Sequence, residues 1–427
     1  MAVNINHATD TITASSGTLS LPNFSGGGGL THFAESESIA SPNATVPVDA
    51  LTATDAIYAN IDVAVVAKGT GATLAQVPDA TATGGDKRGT KATDWQKTRN
   101  NASEVASGIS ATISGGENNT ASGVRAAIGG GESNVASGLR GVIGGGTLNT
   151  ASGQDSTISG GRSNTVSAQE STVSGGRSNT ASSQYSFVGG GQSNFASTNT
   201  HTTVCGGSSN TATGQYSFVG GGQSNAASGL GSVVVSGGFA SASGLYSVCL
   251  GGYDQGANSA YSALIGGRRG TTRSIIGNVV FPASNIPISG STGVTQSALL
   301  LLGRETTDAT ATVLASDTIA ASATNQVTLP NTSAYSFSGE VIAGVTGAGD
   351  SARWTINGAI KRGANAASTA MIGTPTVTMT HNDAGAATWV VAVTANTTLG
   401  CITVTVTGAA ATTIRWVCKI NTTEMTY

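Results

Sequence analysis

The sequence predicts an all-β protein: a parallel β-roll or β-solenoid of about 15-residue repeats, followed by an antiparallel β-sandwich. Three observations carry this. A Gly-Gly pair returns at eleven places from Gly115 to Gly266, every 15 residues apart from two spacings of 16 and one of 14. Around each pair, fixed positions hold fixed residue types. After about Arg269 that period stops, and from about Thr306 short alternating stretches with turn signals every 8 to 14 residues follow.

A short fixed period means that each unit is one rung leaning on its neighbours. Two places before the pair stand apolar residues such as Ile113, Ile128, Ile143, Val173, Val188 and, at the Gly237 pair, Val235; four places before it the residues are small, as in Ala111 and Ser156. Four places after it come Asn119, Asn134, Asn149, Asn164, Asn179, Asn194, Asn210 and Asn225, and six places after it small apolar residues such as Ala121 and Ala136. Alternation at period two marks strands, and the glycine-rich punctuation marks tight turns. At about 4.8 Å per rung, eleven rungs make a column about 50 Å long. Its interior is expected to be narrow, with the asparagines hydrogen-bonding along the axis to offset their burial. Residues three before the pair are often apolar as well (Val142, Phe187, Phe218, Val234, Val248). They point away from the interior, and a thin roll of small residues is poorly stable alone, so this second face is expected to meet another subunit.

The remaining elements follow in order. Residues 1–98 are read as a separate N-terminal region and roll cap, with strand-forming stretches at Val3–Leu21 and Ala56–Ala67 joined through the glycine run Gly26–Gly29. Residues 99–270 are the repeat stalk. Residues 271–305 are a closing cap and neck, with Leu299–Arg304 leading onward. Residues 306–427 form the sandwich tip, with strands expected at Ala311–Leu314, Asn325–Leu329, Tyr335–Val345, Ser351–Ile360, Val377–Thr380, Thr388–Thr394, Cys401–Thr407 and Thr413–Ile420.

Composition narrows the function. Charged residues make up 10% of the chain, the net charge is −3 and no Lys/Arg cluster is long, which argues against nucleic-acid binding. No apolar run reaches the roughly 18 residues of a membrane span. The first residues lack the basic and apolar stretches of a secretory signal, and the polar last residues do not read as membrane strands. The four cysteines Cys205, Cys249, Cys401 and Cys418 form no CxxC pair and read as small buried hydrophobes. His7, His32, His201 and His381 lie far apart, so no metal motif and no cofactor are expected. The glycine strings lack the Lys-Ser/Thr of a phosphate-binding loop. Asp155 and Glu170, both five places before a Gly pair, would sit on adjacent rungs near the separation of a glycosidase pair. Their register, however, also holds Arg125, Arg140, Tyr185, His201, Tyr216, Tyr246 and Tyr261. It reads as a variable outward row, and no enzymatic activity is expected. A second such row, two places after the pair, includes Glu117, Arg162, Arg177, Phe239, Tyr253 and Arg268.

The repeat pattern seen in Ser163-Asn164-Thr165 followed by Ser171-Thr172-Val173-Ser174-Gly175-Gly176 resembles the head repeats of trimeric autotransporter adhesins and the repeats of bacteriophage tail fibres. The likeness covers roughly 40% of the chain. Arg88-Gly89, Ala92, Asp94, Gln96, Arg99 and Val105–Gly108 resemble the segment that precedes such repeats in phage fibres. Gly339–Ala343, Gly349–Gly358 and Thr413–Trp416 look like a domain at the ends of phage fibres and related virion proteins. The resemblance implies a homotrimer, made in the host cytoplasm and carried on the virion. Its N-terminal region would contact other tail or capsid proteins, and its far end would bind a bacterial surface polysaccharide or protein. Tyr185, Tyr216, Tyr246, Tyr261, Trp354, Trp389 and Trp416 are the candidate receptor-binding residues. A structural virion component, such as a head fibre or decoration protein, is the alternative, and a polysaccharide-degrading tailspike the third reading.

Overall fold

The computed structural model describes residues 70–427 apart from Ser289, Gly290 and Ala348, together with the backbone of four short strands nearer the N-terminus. The chain forms two compact units, Met1–Val66 and Ala67–Tyr427. In the first, Asn4–Asn6 pairs antiparallel with Thr11–Thr13, and Phe33–Ser38 with Val48–Ala53. The Gly26–Gly29 join and the Ala56–Ala67 strand candidate lie outside the described residues.

The second unit contains the solenoid. Each rung supplies two strands of two residues. One row stacks in parallel from Thr112–Ile113 through Ala127–Ile128 and Val142–Ile143 to Ala263–Leu264. The other runs from Thr120–Ala121 to Gly256–Ala257. A third row of single-residue parallel bridges passes from Thr98 through Glu117 and Glu132 to Arg268. The column starts before the Gly-Gly period does, because Thr73–Leu74 and Thr93–Asp94 stack beneath Thr112–Ile113. The charged segment around Arg88–Arg99 thus lies within the column and supplies its strand Thr93–Asp94. Asp94 is fully buried there between Arg88 (Nε–Oδ2 2.8 Å) and Arg99 (Nη2–Oδ2 3.3 Å).

Alternation decides which residues fill the interior. Ile113, Ile158, Val173 and Val204 are fully buried from one strand row and face Ala121, Ala151, Ala181 and Ala212 from the other, so large meets small across a thin core. The asparagines form the axial ladder expected of them. Asn164 is typical: its N–H donates to Asn149 Oδ1 at 3.0 Å, its Oδ1 accepts from Asn179 N–H at 3.0 Å, and its Nδ2 donates to the Gly160 and Gly176 carbonyls at 3.0 Å each. Gln96 begins the ladder by exchanging hydrogen bonds with the Asn119 backbone, and Ala240 ends it.

The two spacings of 16 have different causes. Between Gly190 and Gly206 a residue is truly inserted, since Phe187 pairs with Thr203 and Phe195 with Thr211. Between Gly221 and Gly237 none is, since Phe218 pairs with Val233 and Val233 with Val248, each 15 residues on. There the pair has slipped one place, so Val234 rather than Val235 lies inside. Val234 therefore leaves the set of outward apolar residues and Val235 joins it.

The solenoid runs directly into the C-terminal sheets. Val279–Pro282 stacks in parallel on Ala263–Leu264 and then pairs antiparallel with Thr295–Thr306. Leu299–Arg304, read as a lead-in, is the middle of that twelve-residue strand. From it the sheet continues antiparallel through Ile414–Thr426, Ser333–Val345 and Ser351–Arg362 to Thr376–Asn382. A second sheet joins Cys401–Thr407 to Thr312–Val313, Val327–Thr328 and Val390–Asn396. Leu302, Val341, Trp354, Trp416, Val391 and Val404 pack in the core of the two sheets. Between the solenoid and these sheets lies a polar junction: Glu424 accepts from Arg273 Nε (2.8 Å), Gln296 Nε2 (2.8 Å) and Thr422 Oγ1 (2.9 Å).

Candidate functional site

The register five places before the Gly pair is a corner of the rung with left-handed backbone. Arg125, Arg140, Asp155, Glu170, Tyr185, His201, Tyr216, Tyr246 and Tyr261 all have φ between 51° and 61°. Each of their N–H groups is pinned to the rung before, as in Tyr246 N to Leu230 O at 2.8 Å. A left-handed conformation costs a non-glycine residue about 1–2 kcal/mol. The chain holds a full side chain at this corner on every such rung except the one carrying Gly231. The same rungs also repeat a second left-handed corner, filled mostly by serine such as Ser163, Ser178 and Ser193.

Along this corner the C-terminal rungs build an aromatic row. Tyr185 stacks on His201 with ring centroids 4.8 Å apart, His201 lies 5.0 Å from Tyr216, and Tyr246 stacks on Tyr261 at 5.8 Å. The one break, Gly231, makes room for the Tyr246 ring, which a side chain there would strike. The four tyrosines are 41% to 60% exposed, so the row is accessible while its backbone is fixed by the rungs. His201 belongs to the row on the same footing and was missing from the candidate residues; its register in the repeat was the available signal. A second aromatic group, Phe239, Tyr253 and Arg268, lies along another corner: the two rings meet edge-on at 5.4 Å and the guanidinium lies 5.1 Å over the Tyr253 ring. Phe239 sits one place beyond the register expected of it, for Gly238 is the residue bridged to Gln223 and Tyr253.

In the earlier rungs the same corner is charged. Asp155 is gripped by both nitrogens of the Arg140 fork, Nη2 at 2.6 Å from Oδ2, and also accepts from Gln154. The Arg140 hydrogen bonds, with that from Gln154, hold its carboxyl down at about 2. An acid that strong is unsuited to donate a proton, so Asp155 and Glu170 do not make an acid–base pair with Asp155 as the acid.

The three candidate tryptophans are corrected. Trp354, Trp389 and Trp416 are 1% to 3% exposed and pack on one another at 5.6 and 5.7 Å. Trp416 Nε1 donates to Thr306 Oγ1 at 3.0 Å. Alternation in their strands aims them between the two sheets, so they form core and offer no surface to a receptor. What the C-terminal sheets do expose is a shallow groove beside the outer strand Thr376–Asn382, lined by Ile342, Ser351, Arg353, His381 and Asp383. Cys205 is corrected as well: it is exposed, whereas Cys249, Cys401 and Cys418 are buried. Among the described residues no helix is long and apolar enough to cross a membrane.

No family model and no curated protein matches the sequence. Among solved structures, the chain is similar to the tailspike protein of Acinetobacter phage vB_ApiP_P1, at 9% identity and a TM-score of 0.20, over 84% of this chain and 80% of that one. It is also similar to tailspike protein gp49 of Acinetobacter baumannii bacteriophage Fri1, a capsular polysaccharide depolymerase, at 9% identity and a TM-score of 0.21, over 92% of this chain and 74% of that one. The expectation that the chain is no enzyme is corrected by the second of these, which is a depolymerase. Missing catalytic motifs in the repeats are no ground for excluding catalysis. At these scores the likeness transfers no residue, substrate or assembly to this chain.

Proposed function

We propose that this chain is the subunit of a homotrimeric bacteriophage tail fibre that attaches the virion to the bacterial surface. The observation that carries the reading is the outward row Tyr185, His201, Tyr216, Tyr246 and Tyr261, held at fixed spacing on a rigid column. Ordered aromatic side chains suit shallow contacts with sugars or proteins, and repetition over three subunits turns weak contacts into firm attachment. The resemblance of the repeats, and of the Arg88–Arg99 segment, to phage fibres supports the virion setting. In this reading residues 1–98 hold other virion proteins, the solenoid is the stiff spacer and residues 306–427 are the exposed tip, with the Arg353–His381 groove as a second contact.

The test is adsorption of the purified protein to host cells. Tyr216→Ser with Tyr246→Ser should weaken binding at least tenfold while leaving the circular dichroism spectrum unchanged, and removing residues 306–427 should weaken it further. Unchanged binding by the double variant would remove the row from the receptor site. A trimer that binds no cells would instead favour a structural virion component.

A further inference from the structure

One face of the solenoid changes character along its length. In the first strand row, residues three and one before the usual glycine pair both point outward. In the early rungs most of these are small or polar, as in Thr112 with Ser114 and Thr157 with Ser159, with Val142 and, further on, Phe187 as exposed exceptions. In the last rungs they are large and apolar: Val235, Leu250, Ile265 and Phe281 follow one another on successive strands at 43%, 47%, 38% and 45% exposure. Val233, Val248 and Val279 stand beside them, half-buried. This column was invisible while Val235 was counted as interior. Its four exposed side chains form one continuous apolar strip along successive strands.

We propose that this face packs against a second copy of this chain, so that Leu250, Ile265 and Phe281 are subunit-interface residues; the inference rests on the homotrimer reading above. Two observations select a copy of the same chain as the occupant. First, neither outward row contains an Asp, Glu, Lys or Arg from Thr112 to Phe281, whereas the corners carry Arg140, Asp155, Arg162 and Arg177. Identical rods side by side in register bring the same rung of each copy together, where a charge would meet its own like. A face without charge is what such an arrangement requires. Second, the face repeats at the strand spacing of about 4.8 Å from rung to rung along the column. Only a partner with the same axial repeat can follow it over that length.

Cys205 lies in the same outward row, between Gly189 and Gly220, and is exposed in the single chain. It is therefore a built-in reporter. Burial raises the other three thiols to about 11 (Cys249 and Cys401) and about 12 (Cys418), so native reactivity reads Cys205 alone. The experiment measures mass by light scattering and the rate of Cys205 modification by a maleimide, for the native protein and for Leu250→Glu with Ile265→Glu. The expected result is an oligomer whose Cys205 reacts at least tenfold more slowly than in the variant, which is a monomer with an unchanged circular dichroism spectrum. Should the variant not fold, the native protein decides: an oligomer whose Cys205 reacts as fast as in guanidinium overturns the face and leaves the trimer standing. A monomeric native protein overturns both.

Discussion

Asn164→Ala is the substitution that most directly tests what holds the column together. The side chain is fully buried in mid-ladder. It accepts from Asn179 N–H and donates to the Gly160 and Gly176 carbonyls, each at 3.0 Å. Three hydrogen bonds at a net of about 1 kcal/mol each amount to about 3 kcal/mol, and the Asn179 N–H left buried without an acceptor moves the total towards about 5 kcal/mol. Because each rung contacts only its neighbours, the loss falls on one junction and should divide the column into two less cooperative halves. The assay is guanidinium unfolding followed by far-ultraviolet circular dichroism, with Arg162→Ala as the control on an exposed row. The control should change stability by less than about 0.5 kcal/mol, as surface substitutions usually do. An Asn164→Ala effect below about 1 kcal/mol, or one equal to the control, would refute the view that the ladder is a principal source of stability.

Three further outcomes follow from the same geometry. Gly161 has φ of +94° and a Cβ there would overlap the Gly176 carbonyl, so Gly161→Ala should lower the unfolding midpoint sharply; at Gly160 a Cβ meets nothing, and Gly160→Ala should leave it nearly unchanged. The Asp155 carboxyl is held at about 2 by Arg140 against an ordinary 3.8, so its contribution to stability is full above about pH 4 and lost as pH falls towards 2; acid titration of Asp155→Asn, followed by circular dichroism, should show a flatter decline across that window. Tyr261→Gly relieves a left-handed residue while losing one ring contact, so its unfolding free energy should change by less than about 1 kcal/mol while binding of host cells falls.

The repeat made most of the solenoid legible. Ile113 and its successors, the Ala row and the Asn ladder all stand where the period placed them, because in a solenoid one rung predicts the next. The C-terminal strands were legible for a different reason: alternation and turn residues bounded Tyr335–Val345, Ser351–Ile360 and Cys401–Thr407 to within two residues of their observed ends. What escaped were features that need a partner strand to define them. Thr295–Thr306 carries the run Leu299–Leu302, whose alternation is hidden because Leu299 and Leu301 are as apolar as the buried Leu300 and Leu302. Val235 was misplaced because the glycine pair, the landmark of every other rung, had itself moved. The tryptophans were ambiguous in the sequence because a strand aromatic fits a core or a platform equally well until the second sheet is in place.

The distribution of strain separates what the fold needs from what it merely carries. The second glycine of each pair but the slipped Gly237-Gly238 answers to the neighbouring rung, as do the interior Ile, Val, Ala and Asn; none of these can vary without cost inside the same chain. The left-handed corner is the opposite case. Its conformation favours glycine, and Gly231 shows that glycine is accepted there. Yet the corner holds Arg, Asp, Glu, His and Tyr on other rungs, with chemistry that changes from charged to aromatic along the column. Residues kept in a left-handed conformation against their preference, and touching mainly their counterparts on neighbouring rungs, are the ones whose identity points to a role outside the interior. On that ground the aromatic corner, rather than the more numerous exposed serines and threonines, is where the proposed receptor contact is to be tested first.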